Sequence, residues 1–266
     1  MTSFQLQPGT SPLLVSMPHV GTEIADALRP DYTPRALDLE DTDWHLDRLY
    51  DFLPDLGASV LQARQSRYVI DLNRPPDDMP MYPGASNTEL CPTRFFTGDA
   101  LYRPGQEPLV DERVRRRTEY WEPYHAALAR ELSRIVAQHG FVLLWDAHSI
   151  RSEIAWLFAG RLPDLNIGTA GGTSCDPAIT DSVARACAGA ATLSSVVNGR
   201  FKGGYITRHY GNPRGHVHAL QLEMCQCTYM QEAAPFAFDA ARARGVQPVL
   251  RAMLQAALAA AASCHG

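Results

Sequence analysis

Two histidines, three acids and an adjacent Asn-Arg pair stand at or just beyond apolar runs, and that placement invites a chemical reading. His19 follows the run 12–17 (PLLVSM), and Asn73-Arg74 follow the run 68–72, which itself contains Asp71. Asp146 and His148 follow 141–145 (FVLLW), and Glu223 follows 217–222. Short apolar runs bounded by turn residues read as strands. In α/β sheets ligands gather beyond the carboxyl ends of the strands, so these residues could converge in one crevice. Two imidazoles and a carboxylate form a common zinc ligand set that leaves a coordination position for water. A separate carboxylate can take the proton of that water. A guanidinium beside an amide makes a fork for a substrate carboxylate. The inventory points to hydrolysis of an acyl or amide bond in a small anionic substrate. Each residue alone has an ordinary alternative: a hydrogen-bonded histidine, a helix-capping aspartate, a surface glutamate. Several strands ending the same way is what argues against coincidence.

The elements that must hold these groups alternate along the chain. Besides the four runs above, 58–61, 165–169 and 195–197 read as strands. Helical spacing covers 43–53, through Trp44, Leu46, Leu49, Tyr50 and Leu53. It covers 111–139 as well, with a bend expected at Pro123 and an end at Gly140. Asp176-Pro177 opens a helix to about residue 188, and a last helix spans about 237–262. Residues 73–105 are rich in Pro, Gly, Asn and Thr, and a loop that long in a compact domain is usually functional or disordered. With no clean linker, the pattern predicts one α/β domain over 1–266, built on a mixed, mostly parallel sheet flanked by helices.

Bulk properties exclude several classes. The 266 residues suffice for a large core. The formal charge is −5, and the densest basic cluster (Arg113, Arg115, Arg116, Arg117) is interleaved with Asp111, Glu112 and Glu119, a solvated helix face rather than a nucleic-acid footprint. Six cysteines form no CxxC pair or disulfide framework, and no secretory signal opens the chain. The apolar stretch 249–262 is interrupted by Arg251 and Gln255 and is too short to span a bilayer. These features predict a cytoplasmic protein with no membrane or nucleic-acid partner.

The motifs PHVG (18–21), DTDWH (41–45), VIDLNRP (69–75), LLWDAHSIRS (143–152), NGRFKGGYITRHYG (198–211) and QLEM (221–224) resemble the N-formylglutamate deformylase family, in order and over nearly the whole chain. WDAHSIRS and FKGGYITRHYG are the long, specific pieces. That family is similar to the zinc carboxypeptidases and aspartoacylases, with a phosphorylase/hydrolase-like mixed sheet. The resemblance implies one zinc ion held by His19, an acid and His148, with Glu223 as base and Asn73 and Arg74 on the substrate α-carboxylate. It implies cleavage of the small molecule N-formyl-L-glutamate to formate and L-glutamate, in histidine degradation. The carboxypeptidase-group spacing His-x-x-Glu is broken by Thr22, so the acid is expected to be Asp43, then Asp41, then Glu23. Arg208 is the candidate for the substrate side-chain carboxylate, with His209 or Tyr210 near the oxyanion and Asp146 behind a ligand histidine. His45 is read as a neighbour of the site. Aspartoacylase- or carboxypeptidase-like cleavage of another small N-acyl amino acid is the alternative. A protein that kept the fold without the metal is disfavoured by the intact His19, His148 and Glu223 set.

Overall fold

The computed structural model describes residues 3–81, 87–189 and 192–265. Among the described residues seven strands form one mixed sheet: β1 (Phe4–Gln7), β2 (Leu13–Met17), β3 (Ser59–Ala63), β4 (Val142–Ile150), β5 (Leu165–Gly168), β6 (Ser195–Val197) and β7 (Val217–Cys225). Their spatial order is β1-β3-β2-β4-β7-β5-β6. β3, β2, β4 and β7 are mutually parallel; β1 runs antiparallel to β3 and β5 antiparallel to β7, while β6 is parallel to β5. β1 had no counterpart among the expected strands.

β4 and β7 pair along their whole length, from Val142 opposite Val217 to Ile150 opposite Cys225. One face of the sheet carries Leu143, Trp145 and Ala147 of β4 with Leu220, Leu222 and Met224 of β7. Helices α4 (Pro177–Ala188) and α6 (Ala240–His265) cover that face. The other face starts apolar, with Val142, Leu144 and Ala219 packed beneath α3 (Glu122–His139). Successive side chains alternate across a strand, so Asp146, His148, Gln221 and Glu223 fall on this second face. Here the structure corrects the sequence reading. Asp146, His148 and Glu223 do not lie beyond the strands but within their last turns of pleat. The strands continue because the residues between them stay in the core on the opposite face.

A second correction concerns 68–72, which is no strand but a buried irregular segment. Tyr68, Val69, Ile70 and Leu72 join the second core cluster. Buried carbonyls without a ladder need other donors, and side chains supply them. Tyr32 Oη donates to Tyr68 O (2.9 Å), Arg116 to Val69 O (3.1 Å), His125 Nε2 to Leu72 O (2.9 Å) and Trp121 Nε1 to Arg74 O (3.0 Å). Three of these donors come from one helical column. It runs from α2 (Val110–Arg116) through a π-helical turn, Arg117–Trp121, into α3. The bend expected at Pro123 is taken up by that wider turn, since proline cannot donate to residue 119. Gly140 (φ 82°) ends α3.

The helix expected over 43–53 is interrupted. His45 is left-handed (φ 62°), so α1 is only Leu46–Leu49, and Asp43 lies before it in a turn. Asp176 caps α4 as expected, accepting from Ala178 N at 2.8 Å. Arg208, His209 and Tyr210 lie on a short helix, α5 (Tyr205–Tyr210). All six cysteines are free thiols. Among the described residues no helix is long and apolar enough to cross a membrane.

Arg116 is 1% exposed and bonds Val69 O, Tyr102 Oη and Glu112. Arg116→Ala is expected to lower the unfolding free energy by about 3 kcal/mol in urea titrations, because it strands a buried carbonyl and hydroxyl. Arg115→Ala, on the exposed face, should change it by less than about 0.5 kcal/mol. Equal effects would mean that the buried segment does not depend on this donor.

Candidate active site

His19 stands two residues past β2, 3% exposed, with its carbonyl accepting from Asp43 N at 3.1 Å. That bond ties the turn carrying Asp43 to the end of β2. The His19 Nε2–H donates to Asp71 Oδ1 at 2.7 Å, since an ionised carboxylate can only accept. His19 Nδ1 is thereby turned inward. His148 is arranged alike: Nε2 lies 3.0 Å from Asp146 Oδ2 and 3.0 Å from Asn73 Nδ2, while Nδ1 points inward. The inward atoms form a triangle, with His148 Nδ1 3.1 Å from His19 Nδ1 and 3.1 Å from Asp43 Oδ2, and His19 Nδ1 3.7 Å from Asp43 Oδ2.

Ligands at about 2.1 Å from a tetrahedral zinc stand roughly 3.4 Å apart. The triangle brackets that edge, and these three residues could hold one metal ion. Asp43 Oδ1 has the Arg67 guanidinium 3.7 Å away, which leaves Oδ2 as the oxygen turned toward the two rings. Both imidazoles have carboxylates behind them, the arrangement that orients metal-binding histidines. The residues therefore fit a metal.

The charges are strongly coupled. Burial disfavours a charged imidazole, but Asp146 and Asp43 beside His148 hold it well above its ordinary pKa. Burial likewise works against ionised Asp43 and Asp71, and is outweighed in both. The His148 and His19 rings hold Asp43 low, while Arg74, His19 and Arg67 hold Asp71 well below the carboxylate range. Without a metal, a proton thus sits on His148 among the carboxylates, and a cation would take its place. Glu223 differs. It faces His148 across the β4–β7 register, accepts from Gln221 Nε2 at 3.2 Å and is pushed up to about 8, chiefly by burial. An acid poised near neutrality can both take and return a proton.

The cleft over this triangle encloses about 630 Å³ including its mouth. Asn73, Gln221 and Glu223 line its floor, and Phe96, Leu157 and Phe201 belong to its apolar walls. Three guanidiniums enter it: Arg67, Arg74 and Arg200. Arg67 donates to Asp71 Oδ2 at 2.7 Å and lies 4.5 Å over the Phe96 ring. Arg74 is braced by Thr88 O (3.0 Å), Thr88 Oγ1 (2.6 Å) and Asn73 O (3.1 Å). Gly204 packs against the floor, its N–H donating to Gln221 Oε1 at 2.7 Å. A Cβ there would stand 2.3 Å from Asn73 Nδ2, so only glycine fits.

Of the residues expected from sequence, the fold brings together His19, Asp43, His148, Glu223, Asn73 and Arg74, with Asp146 behind His148. Asp41 is spent elsewhere, accepting from Phe96 N (2.9 Å) and Arg151 (3.1 Å), and Glu23 is exposed beside Gln65. His45 bonds Phe236 O, outside the triangle. Arg208 does not line the cleft: it is exposed on α5 and donates to Gly203 O at 2.8 Å. His209 stacks on Tyr205, and Tyr210 bonds His125. The pairing of Asp71 with His19, and the cleft positions of Arg67, Arg200 and Gln221, were not foreseen. Asp71, Arg200 and Gln221 lie in motifs already singled out (69–75, 198–211 and 221–224), whereas Arg67 lies in none.

Residues 11–230 match the model of the N-formylglutamate amidohydrolase family. The chain is 54% identical over 251 residues to an N-formylglutamate deformylase from Pseudomonas aeruginosa, covering 94% of each chain. It is 53% identical, with the same coverage, to one from Pseudomonas putida. The crystal structure of an N-formylglutamate amidohydrolase from Ralstonia eutropha JMP134 superposes with a TM-score of 0.80 at 25% identity, covering 99% of this chain and 98% of that one. A metal-competent triangle, a neighbouring glutamate and this likeness over almost the full length agree: the chain belongs to the N-formylglutamate amidohydrolase family.

Proposed function

We propose that the chain is a cytoplasmic, zinc-dependent hydrolase that cleaves N-formyl-L-glutamate with water to formate and L-glutamate. The observation that carries this reading is the His19–Asp43–His148 triangle beside Glu223, at the floor of a cleft entered by three guanidiniums. Two nitrogens and one carboxylate oxygen suit zinc and leave room for water. The name of the Pseudomonas relatives supports the choice of substrate, and the free thiols fit a reducing compartment.

His19, Asp43 and His148 are the proposed ligands, with Asp71 and Asp146 fixing the rings behind them. The bound ion would lower the pKa of water from 15.7 toward about 7 and polarise the formyl carbonyl. Glu223 accepts the proton of the attacking water. It then delivers that proton to the glutamate nitrogen as the C–N bond breaks, so one group serves as base and then acid. Arg67, rigid between Asp71 and Phe96, presents positive charge where the carbonyl oxygen becomes negative. Arg74 receives the α-carboxylate. Asn73 holds that corner, since its Nδ2 donates to Asp146 Oδ2 at 3.3 Å and its Oδ1 accepts from Ile206 N at 2.8 Å.

Formate release from N-formyl-L-glutamate should vanish on chelation and return when zinc is added back; activity that survives complete metal removal would sink the proposal. Glu223→Gln should keep its metal while kcat falls by roughly two to four powers of ten. Near-normal turnover by that variant would remove Glu223 from its role. Asp71→Asn should weaken metal affinity by roughly 10- to 100-fold in competition with a chromogenic chelator. An unchanged affinity would mean that His19 needs no carboxylate behind it.

A further inference from the structure

We infer that Arg200 is the residue that selects the side-chain carboxylate of the substrate. This rests on the function proposed above and names the specificity of the same cleft. N-formyl-L-glutamate carries two carboxylates. The α-carboxylate is attached to the carbon bearing the scissile nitrogen, so its cation must stand close to the metal triangle. Arg74 does: it lies 3.8 Å from Asp71, which holds His19, and it follows Asn73, which donates to Asp146 behind His148. The second carboxylate lies three bonds further out and needs a cation beyond the strand ends, past an apolar stretch that accepts two methylenes.

Arg67 cannot serve. It is 5% exposed, its charge is met by Asp71 at 2.7 Å and Asp43 at 3.7 Å, and it belongs to the triangle's surroundings. Arg208 is outside the cleft. Arg200 has the right place. It lines the cleft together with Ile150, Leu157 and Phe201, and its Nε and a terminal nitrogen donate to Leu157 O at 3.4 and 3.2 Å. β4 ends at Ile150, and the guanidinium bonds the carbonyl of Leu157 seven residues beyond that end, beside the apolar Ile150, Leu157 and Phe201.

The segment carrying Arg200 is pinned at both ends. Asn198 takes a left-handed conformation (φ 52°) while its side chain accepts from Thr169 N at 2.9 Å and donates to Thr169 Oγ1 at 2.8 Å. At the other end Gly203 (φ 105°) and Gly204 pack so closely on Thr207 and Asn73 that a Cβ would collide with either. A cation held this rigidly loses little freedom on meeting a carboxylate, which is what specificity requires.

The test compares N-formyl-L-glutamate with N-formyl-L-norvaline, which has the same chain length without the distal carboxylate, on the zinc-loaded protein. Arg200→Ala should lower kcat/KM for the glutamate compound by about 100-fold or more, and for the norvaline compound by less than about threefold. Arg200→Gln, which keeps a donor for Leu157 O, should show the same selective loss, guarding against a merely misfolded variant. Arg74→Ala should impair both substrates, since both keep the α-carboxylate. Losses by Arg200→Ala that are equal for the two substrates, or absent for both, would overturn the assignment. Calorimetric binding of L-glutamate against L-norvaline separates this from the proposed reaction. A preference for L-glutamate that disappears in Arg200→Ala supports Arg200 even if N-formyl-L-glutamate is not turned over, and a preference that persists refutes it.

Discussion

The constraint on which the site depends is the carboxylate behind each imidazole. Asp71 and Asp146 stand at the outer nitrogens of His19 and His148, at 2.7 and 3.0 Å, and so aim both inner nitrogens at Asp43. All five side chains are nearly or fully buried. Ionised carboxylates are costly there unless matched. Arg67 and Arg74 beside Asp71, and a proton or a cation on the histidines, supply the match. The three aspartates thus outnumber the two arginines, and a proton on His148 or a bound cation makes up the difference. Its fixed geometry means that an ion meets ligands already oriented.

That geometry is carried by a segment with no regular structure. Residues 66–74 supply Arg67, Asp71, Asn73 and Arg74, yet make no strand. Their carbonyls are met by Arg116, Trp121 and His125 from one side of the α2–α3 column. The π-helical turn lies between the first two donors, where an added residue per turn shifts which side chains face the sheet. His125 can play this part because burial keeps it neutral, its pKa pushed down to about 3. A charged ring there would need a counter-ion that the core does not offer. The helix that looks like outer packing is therefore the frame of the site.

The cleft combines opposite demands. Its floor must concentrate acids to hold a cation, whereas its walls must attract an anionic molecule. The fold separates the two by depth: the carboxylates are inside, shielded and paired, and Arg67, Arg74 and Arg200 reach the space above them. Burial of Glu223 in the same floor raises its proton affinity, which is the property a proton carrier near neutral pH requires.

By itself the sequence determined the sheet's central strands and the long helices, and it singled out several residues that the fold brings together. Apolar runs, the Asp176-Pro177 start and the Gly140 stop are local signals, and His19, His148 and Glu223 stand out as polar interruptions of those runs. The same reasoning misplaced 68–72 as a strand, because an apolar run reports burial and not the identity of its hydrogen-bond partners. It stopped β4 and β7 short because alternation across a sheet looks like the end of an apolar run when one face turns polar. Only the tertiary structure decided among Asp43, Asp41 and Glu23 as neighbours of the two rings, paired Asp71 with His19, and put Arg200 rather than Arg208 at the cleft. The contacts of His19 with Asp71 and with His148 join residues 52 and 129 positions apart in the chain. Side chains that far apart meet only after the sheet register and the turn conformations at His45 and Asn198 are set, and neither is written in any short stretch of residues.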